Sequence, residues 1–147
     1  MKRSAGETTA RNRLEKARIA RLATIDASGR PTVVPVCFAY DGQAIYTAID
    51  LKPKRVAPGR LARVRHILGN PEVALVVDRY LEDWTRLWYV LVRGTAVLLQ
   101  DADGKERTRA LNLLKQKYQQ YRKGFLSDDA LIIRISPRHI KTWGSLE

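Results

Sequence analysis

A chain of 147 residues with 45% apolar content and scattered charge is long enough to close one hydrophobic core, as an ordered globular protein. Its single cysteine, Cys37, excludes an intrachain disulfide framework and a cysteine-based metal site. No apolar run nears the roughly 20 residues of a membrane span, and the polar start Met-Lys-Arg-Ser-Ala-Gly-Glu shows no secretory pattern, so one soluble cytoplasmic domain, 1–147, is expected.

Glu7 to Ala17 reads as a first helix, with Thr8 or Thr9 as its cap. Its apolar face is thin (Ala10, Leu14, Ala17) and suits a barrel end or a partner subunit. Short strands follow at Arg18 to Asp26, Pro31 to Tyr40 and Ala44 to Asp50. The turns between them, Ala27-Ser28-Gly29-Arg30 and Asp41-Gly42, place glycine where a hairpin asks for positive φ. In the second strand Val34, Val36, Phe38 and Tyr40 share one face, and Val33, Pro35, Cys37 and Ala39 the other. Both faces are apolar, which predicts cover on each side. The third strand empties into the basic segment Leu51-Lys52-Pro53-Lys54-Arg55. A meander that delivers cations to one end of a sheet suits a flat, phosphate-bearing cofactor.

Arg60 to Leu68 has helical spacing, with Leu61, Val64, Ile67 and Leu68 inward and Arg60, Arg63 and Arg65 outward; Gly69-Asn70-Pro71 ends it. Glu72 to Tyr80 is a fourth strand and Leu81 to Arg86 a loop that carries Trp84. Leu87 to Leu99 is a long fifth strand with Gly94 as a bulge or bend. Asp101-Ala-Asp-Gly caps a helix from about Lys105 to Lys123, whose stripe is Ala110, Leu111, Leu114, Tyr118 and Tyr121. Ala130 to Ser136 is the last strand, and Pro137 to Trp143 closes the chain. The order predicts a mainly β (α+β) fold: a six-stranded antiparallel split barrel, closed or half-open, with flanking helices.

The net charge of +12 attracts polyanions in general, whether nucleic acid, acidic lipid or a multiply charged coenzyme. A nucleic-acid reader would interleave aromatics with Lys and Arg on an open sheet face, whereas here the cations gather in one loop and one helix. Nucleic acid is therefore not the expected partner. No metal-ligand, paired-carboxylate or Ser-His-Asp arrangement is visible, and His66 and His139 read as surface residues.

The layout, with the strings Ala23 to Pro31, Val33 to Val36, Ile45 to Ala48 and Asn70 to Asp78, resembles the pyridoxamine 5′-phosphate oxidase-like split-barrel proteins, which bind flavin or deazaflavin. Lys52-Pro53-Lys54 and Tyr80 to Val90 are similar to the branch labelled coenzyme F420-dependent oxidoreductases. The resemblance runs from about Arg18 to Gly144.

The resemblance implies a homodimer with the cofactor in the groove between subunits, and a small-molecule substrate. Lys52, Lys54 and Arg55 match the positions that grip the cofactor phosphate, where cations make short charge-assisted bonds. Arg60 and Arg63 begin the next helix, whose amide end also favours an anion. Val34, Pro35, Val36, Thr47 and Ala48 match positions lining the ring system. A strand proline belongs at an edge or bulge, where neighbouring amides are free, and the hydroxyl of Thr47 needs a partner. Trp84, Trp88 and Trp143 are candidates to stack on the rings or close the groove from the second chain, with a place in the core or as a dimer anchor as the alternative.

The implied reaction is hydride transfer between bound coenzyme F420 and a small organic acceptor, with FMN as the alternative cofactor. A barrel that only stores a cofactor or haem-like ligand is the non-catalytic alternative. The cofactor would carry the hard step, so no protein nucleophile is required. Tyr46, Tyr80 and Asp83 are the protonatable groups to test near the implied site.

Overall fold

The computed structural model describes residues 4–51 and 61–146. The first helix, α1 (Ala5–Lys16), begins two residues earlier than expected because Ser4 caps it. Its Oγ accepts from the Glu7 amide at 3.1 Å, while a Glu7 carboxylate oxygen accepts from the Ser4 amide at 3.2 Å. That reciprocal box satisfies two otherwise orphaned donors. Thr9 lies inside the helix, where its hydroxyl donates to the Ala5 carbonyl.

Seven strands form one antiparallel sheet: β1 (Ala20–Ile25), β2 (Pro31–Val36), β3 (Ala39–Tyr40), β4 (Ile45–Ala48), β5 (Glu72–Arg79), β6 (Trp88–Leu98) and β7 (Ile132–Gly144), in spatial order β2-β1-β5-β6-β7-β4-β3. The predicted second strand is therefore two strands, interrupted at Cys37 and Phe38, which accounts for the seventh. β2 and β3 are consecutive in the chain yet stand at opposite ends of the sheet order. The sheet must curl until its two edges meet at this corner, giving a split barrel. The glycines of the two turns behave as expected, with φ of 80° at Gly29 and 95° at Gly42.

Pro137 does not end the last strand. Gly94 of β6 pairs with Pro137 and Arg93 with His139, so Arg138 is the extra residue of a bulge. The missing proline N–H thus falls where the ladder is already interrupted. A side chain at position 94 would collide with the Ser136 carbonyl, so the predicted bulge glycine is required by close backbone approach.

Two other α-helices stand among the described residues, α2 (Ala62–Gly69) and α3 (Gly104–Lys117). Inside the curl, Leu14 of α1 and Val64 and Ile67 of α2 pack with Leu22, Leu75 and Val92 of the strands. Burying each such side chain contributes about 1.5–3 kcal/mol. Leu68, expected inward, is 66% exposed in the last turn of α2, while Arg63, expected outward, is half-buried. His66 is not a free surface residue either, since its Nδ1 lies 2.9 Å from Thr24 Oγ1 of β1.

A second core joins α3 to the other side of β4 and β7 through Leu111, Leu114, Tyr46 and Ile132. α3 stops six residues before its expected end at Lys123. Tyr118 turns extended there (φ −115°, ψ 113°), and a separate turn follows at Tyr121–Phe125. Strand two is covered on only one face. Val34 and Val36 look into the core, but Val33 is 61% exposed and Pro35 is exposed, because β2 is an edge strand with no layer outside it among the described residues.

Candidate functional site

At the corner between β2 and β3 the backbone has left one ladder and not joined the next, so side chains supply its partners. Thr47 Oγ1 donates to the Cys37 carbonyl at 2.7 Å. The Tyr118 hydroxyl accepts from the Phe38 amide at 3.0 Å and lies 3.0 Å from the carbonyls of Phe38 and Arg18. It holds one hydrogen and can donate to only one of those carbonyls at a time. Burial is the main reason its pKa is pushed up to about 12. The partner that Thr47 was expected to need is therefore backbone, and Thr47 is itself buried.

Beside this corner lies a charged cluster. Asp50, just past β4, is 6% exposed and accepts the Tyr121 hydroxyl hydrogen at 2.6 Å. Burial and that bond to Asp50 drive the tyrosine pKa far upward. Arg63 reaches in from α2; burial lowers its pKa, and the negative charge of Asp50 partly restores it. Arg63 Nε is buried with no hydrogen-bond partner among the described residues. The Leu51 amide donates to the Phe125 carbonyl at 2.8 Å, so the chain leaves for residue 52 beside this cluster. A cavity of about 500 Å³ adjoins it, lined by Arg18, Cys37, Tyr118, Tyr121 and Phe125 among others.

Lys117 Nζ sits 3.9 Å from the Phe38 ring centroid and is buried without a hydrogen-bond partner among the described residues. Burial first, and the charge of Arg18 second, lower its pKa to about 8.

Lys52, Lys54, Arg55 and Arg60 lie outside the described residues. Of the other expected site residues, Val34, Val36 and Trp88 pack on the barrel core, and Ala48 packs on the core under α3. Pro35 stands on edge strand β2, as a strand proline should. Trp84 and Trp88 lie away from Thr47 and Ala48, at the β5–β6 connection. Trp84 is 70% exposed and its Nε1 donates to the Tyr80 hydroxyl. Two guanidiniums lie near the Trp88 ring, with Arg13 Cζ 4.3 Å and Arg79 Cζ 5.9 Å from its centroid. Trp143 stacks on Tyr89 at 5.5 Å.

Two of the suggested proton donors are structural. Tyr46 donates to Glu106 at 2.7 Å, and Arg134 donates to the same carboxylate at 2.8 Å, tying α3 to β4 and β7. Asp83 caps the turn at Thr85. The elements that frame the site, Asp50, Tyr118, Tyr121 and Lys117, were not foreseen. The two tyrosines sat in the apolar stripe of α3, and a hydroxyl on such a stripe was the available signal.

Residues 7–144 match the family model described as pyridoxamine 5′-phosphate oxidase. A 5a,11a-dehydrotetracycline/5a,11a-dehydrooxytetracycline reductase from Streptomyces rimosus is 34% identical over 128 residues, covering 84% of this chain and 72% of the reductase. Among solved structures, an FAD-binding protein from Mesorhizobium loti superimposes with a TM-score of 0.68 at 23% identity, over 92% of this chain and 91% of that one. A heme binding protein from Mycobacterium smegmatis gives a TM-score of 0.76 at 16% identity, over 99% of this chain and 56% of its own. At these identities the two structures speak for the fold alone.

Proposed function

The chain belongs to the pyridoxamine 5′-phosphate oxidase family, and from that premise we propose that it is an oxidoreductase working with coenzyme F420 in a cleft between two subunits. One observation carries the reading: the buried Arg63 Nε has no partner among the described residues. It stands where the basic segment holding Lys52, Lys54, Arg55 and Arg60 leaves β4 and enters α2. A buried guanidinium N–H left unmatched is costly, and a phosphate oxygen would match it with a charge-assisted bond. The residues present therefore fit a phosphate-bearing coenzyme. The excess of cations favours the longer anion of the deazaflavin, with its oligoglutamate tail, over FMN.

When bound, the coenzyme supplies a hydride to an organic acceptor. The chain's own contributions are binding and orientation, which convert an encounter into a positioned reaction. β2, as an edge strand, has ladder groups pointing away from β1 that suit the polar edge of a flat ring. The outer face around it offers Val33, Pro35, Ala23, Ala74, Val76 and Leu91, with Arg21 and Arg93 among them on the same face by strand register. This open, mixed face is the proposed dimer surface.

The name of the Streptomyces relative gives the acceptor to try first, a dehydrotetracycline. The deciding experiment is fluorescence titration of the purified protein with F420 and with FMN, followed by turnover of the reduced coenzyme. Tighter binding of F420, lost when Lys52, Lys54 and Arg55 are changed to Gln, supports the proposal. Binding without turnover of any acceptor supports the storage barrel instead, and binding of neither coenzyme overturns both.

A further inference from the structure

Arg63, the guanidinium matched above to a coenzyme phosphate, stands on the shortest of the three α-helices described. α2 has eight residues, a length of about 12 Å, and a helix so short does not hold itself together in water. Its start is bare. Leu61 lends no capping side chain, and the first turn carries no acidic residue. That end favours an anion, but its own residues do not fix where it points. Val64 and Ile67 seat the helix on the barrel core. Apolar contact is non-directional, so it holds α2 down without setting its rotation about its own axis.

A directional contact stands one turn on, where His66 Nδ1 lies 2.9 Å from Thr24 Oγ1. Thr24 is 1% exposed, and its backbone lies opposite Thr32 in the β1–β2 ladder. A buried hydroxyl needs a partner, and the sheet keeps this one from moving to find another. The half-buried His66 is therefore tied to a fixed point of the barrel. His66 follows Arg63 by three positions, so the two side chains rise from adjoining places on the helix surface. A long side chain ends about 6 Å from the helix axis. Turning the helix by about 10° thus carries that end through about 1 Å, enough to break a charge-assisted bond.

We propose that Thr24 and His66 are positioning residues for the coenzyme. Their bond sets the rotation of α2 and, through it, the placement of Arg63 against the phosphate. The inference rests on the coenzyme reading and adds to it two residues that act only through Arg63.

Fluorescence titration with coenzyme F420, and with the same deazaflavin ring carrying neither phosphate nor tail, tests it. Thr24→Val and His66→Phe each remove the bond and keep the bulk. Both should weaken F420 by about tenfold and leave the bare ring within about twofold of its native affinity. Thr24→Ser returns the hydroxyl and should restore most of the lost affinity. Where the bare ring binds too weakly to compare, that restoration decides. F420 affinity unchanged by both substitutions overturns the proposal. So does an equal loss for the two ligands, which is the mark of a general loosening, or a Thr24→Ser variant that binds no better than Thr24→Val. Native protein that binds no F420 overturns the coenzyme reading and this inference with it, whereas native binding that survives both substitutions overturns this inference alone.

Discussion

Tyr121 donates its phenolic hydrogen to Asp50 over 2.6 Å, and both side chains are buried. The pair joins the turn after α3 to the exit of β4, across 71 positions of sequence. Tyr121→Phe removes the donor and leaves the carboxylate short of a bond, a change that costs about 1–3 kcal/mol. Chemical denaturation followed by circular dichroism should show a lower midpoint with an unchanged slope. An unchanged midpoint would mean that the bond contributes nothing net.

Gly94 and Gly69 make a matched pair of tests. A methyl group at Gly94 meets the Ser136 carbonyl across the β6–β7 bulge, while nothing lies within 4 Å of one at Gly69, the last residue of α2. Gly94→Ala should destabilise by about 1–3 kcal/mol through overpacking. Gly69→Ala should be neutral, or stabilising by up to about 1 kcal/mol, because alanine is the better helix residue. The thermal midpoint should therefore fall for Gly94→Ala and hold or rise for Gly69→Ala.

Much of this framework was legible locally. Gly29 and Gly42 announced their turns because positive φ is a property of the residue itself. Ser4 and Glu7 carried the capping box at the right spacing, but the two threonines nearby drew the cap inward. Pro137 read as a stop because its tolerance comes from a bulge set by Gly94, more than 40 residues away. The candidate site was half legible for a similar reason. Chain-local chemistry marked the basic segment and Arg63, whereas Asp50, Tyr118 and Tyr121 act on groups distant in sequence. Hydrophobic periodicity marks where a side chain is buried but not what its hydroxyl reaches.

Lys117 predicts a pH dependence. Its folded pKa, about 8, lies below the ordinary lysine value of 10.5. Between those values the unfolded chain binds more protons, so this residue's contribution to stability rises with pH. It is complete above about 10.5 and lost as pH falls through 8. Lys117→Met should therefore raise the thermal midpoint at pH 7, with an advantage over the native protein that shrinks toward pH 10. Comparing the two proteins at each pH removes the shared titration of the buried tyrosines. An advantage that stays constant with pH would show that the amine is charged and comfortable in the fold. The contact with Phe38 is the interaction that would make it so.

The open face of β2 predicts an assembly state. Val33 and Pro35 point away from the core, and strand register places Ala23, Val76 and Leu91 on the same side. Val33→Glu puts a charge in the middle of the proposed interface, where burying it unpaired is prohibitive. Because Val33 touches solvent within a single chain, the fold itself should tolerate the change. Light scattering after size exclusion should report a dimer for the native protein and a monomer for the variant, with matching circular dichroism. If the cofactor cleft is built between subunits, Val33→Glu must also lose coenzyme affinity, although the variant leaves Arg63 and the basic segment intact. A monomer that still binds coenzyme at native affinity would place the cleft within one chain. A native protein that is already monomeric would remove the shared cleft altogether.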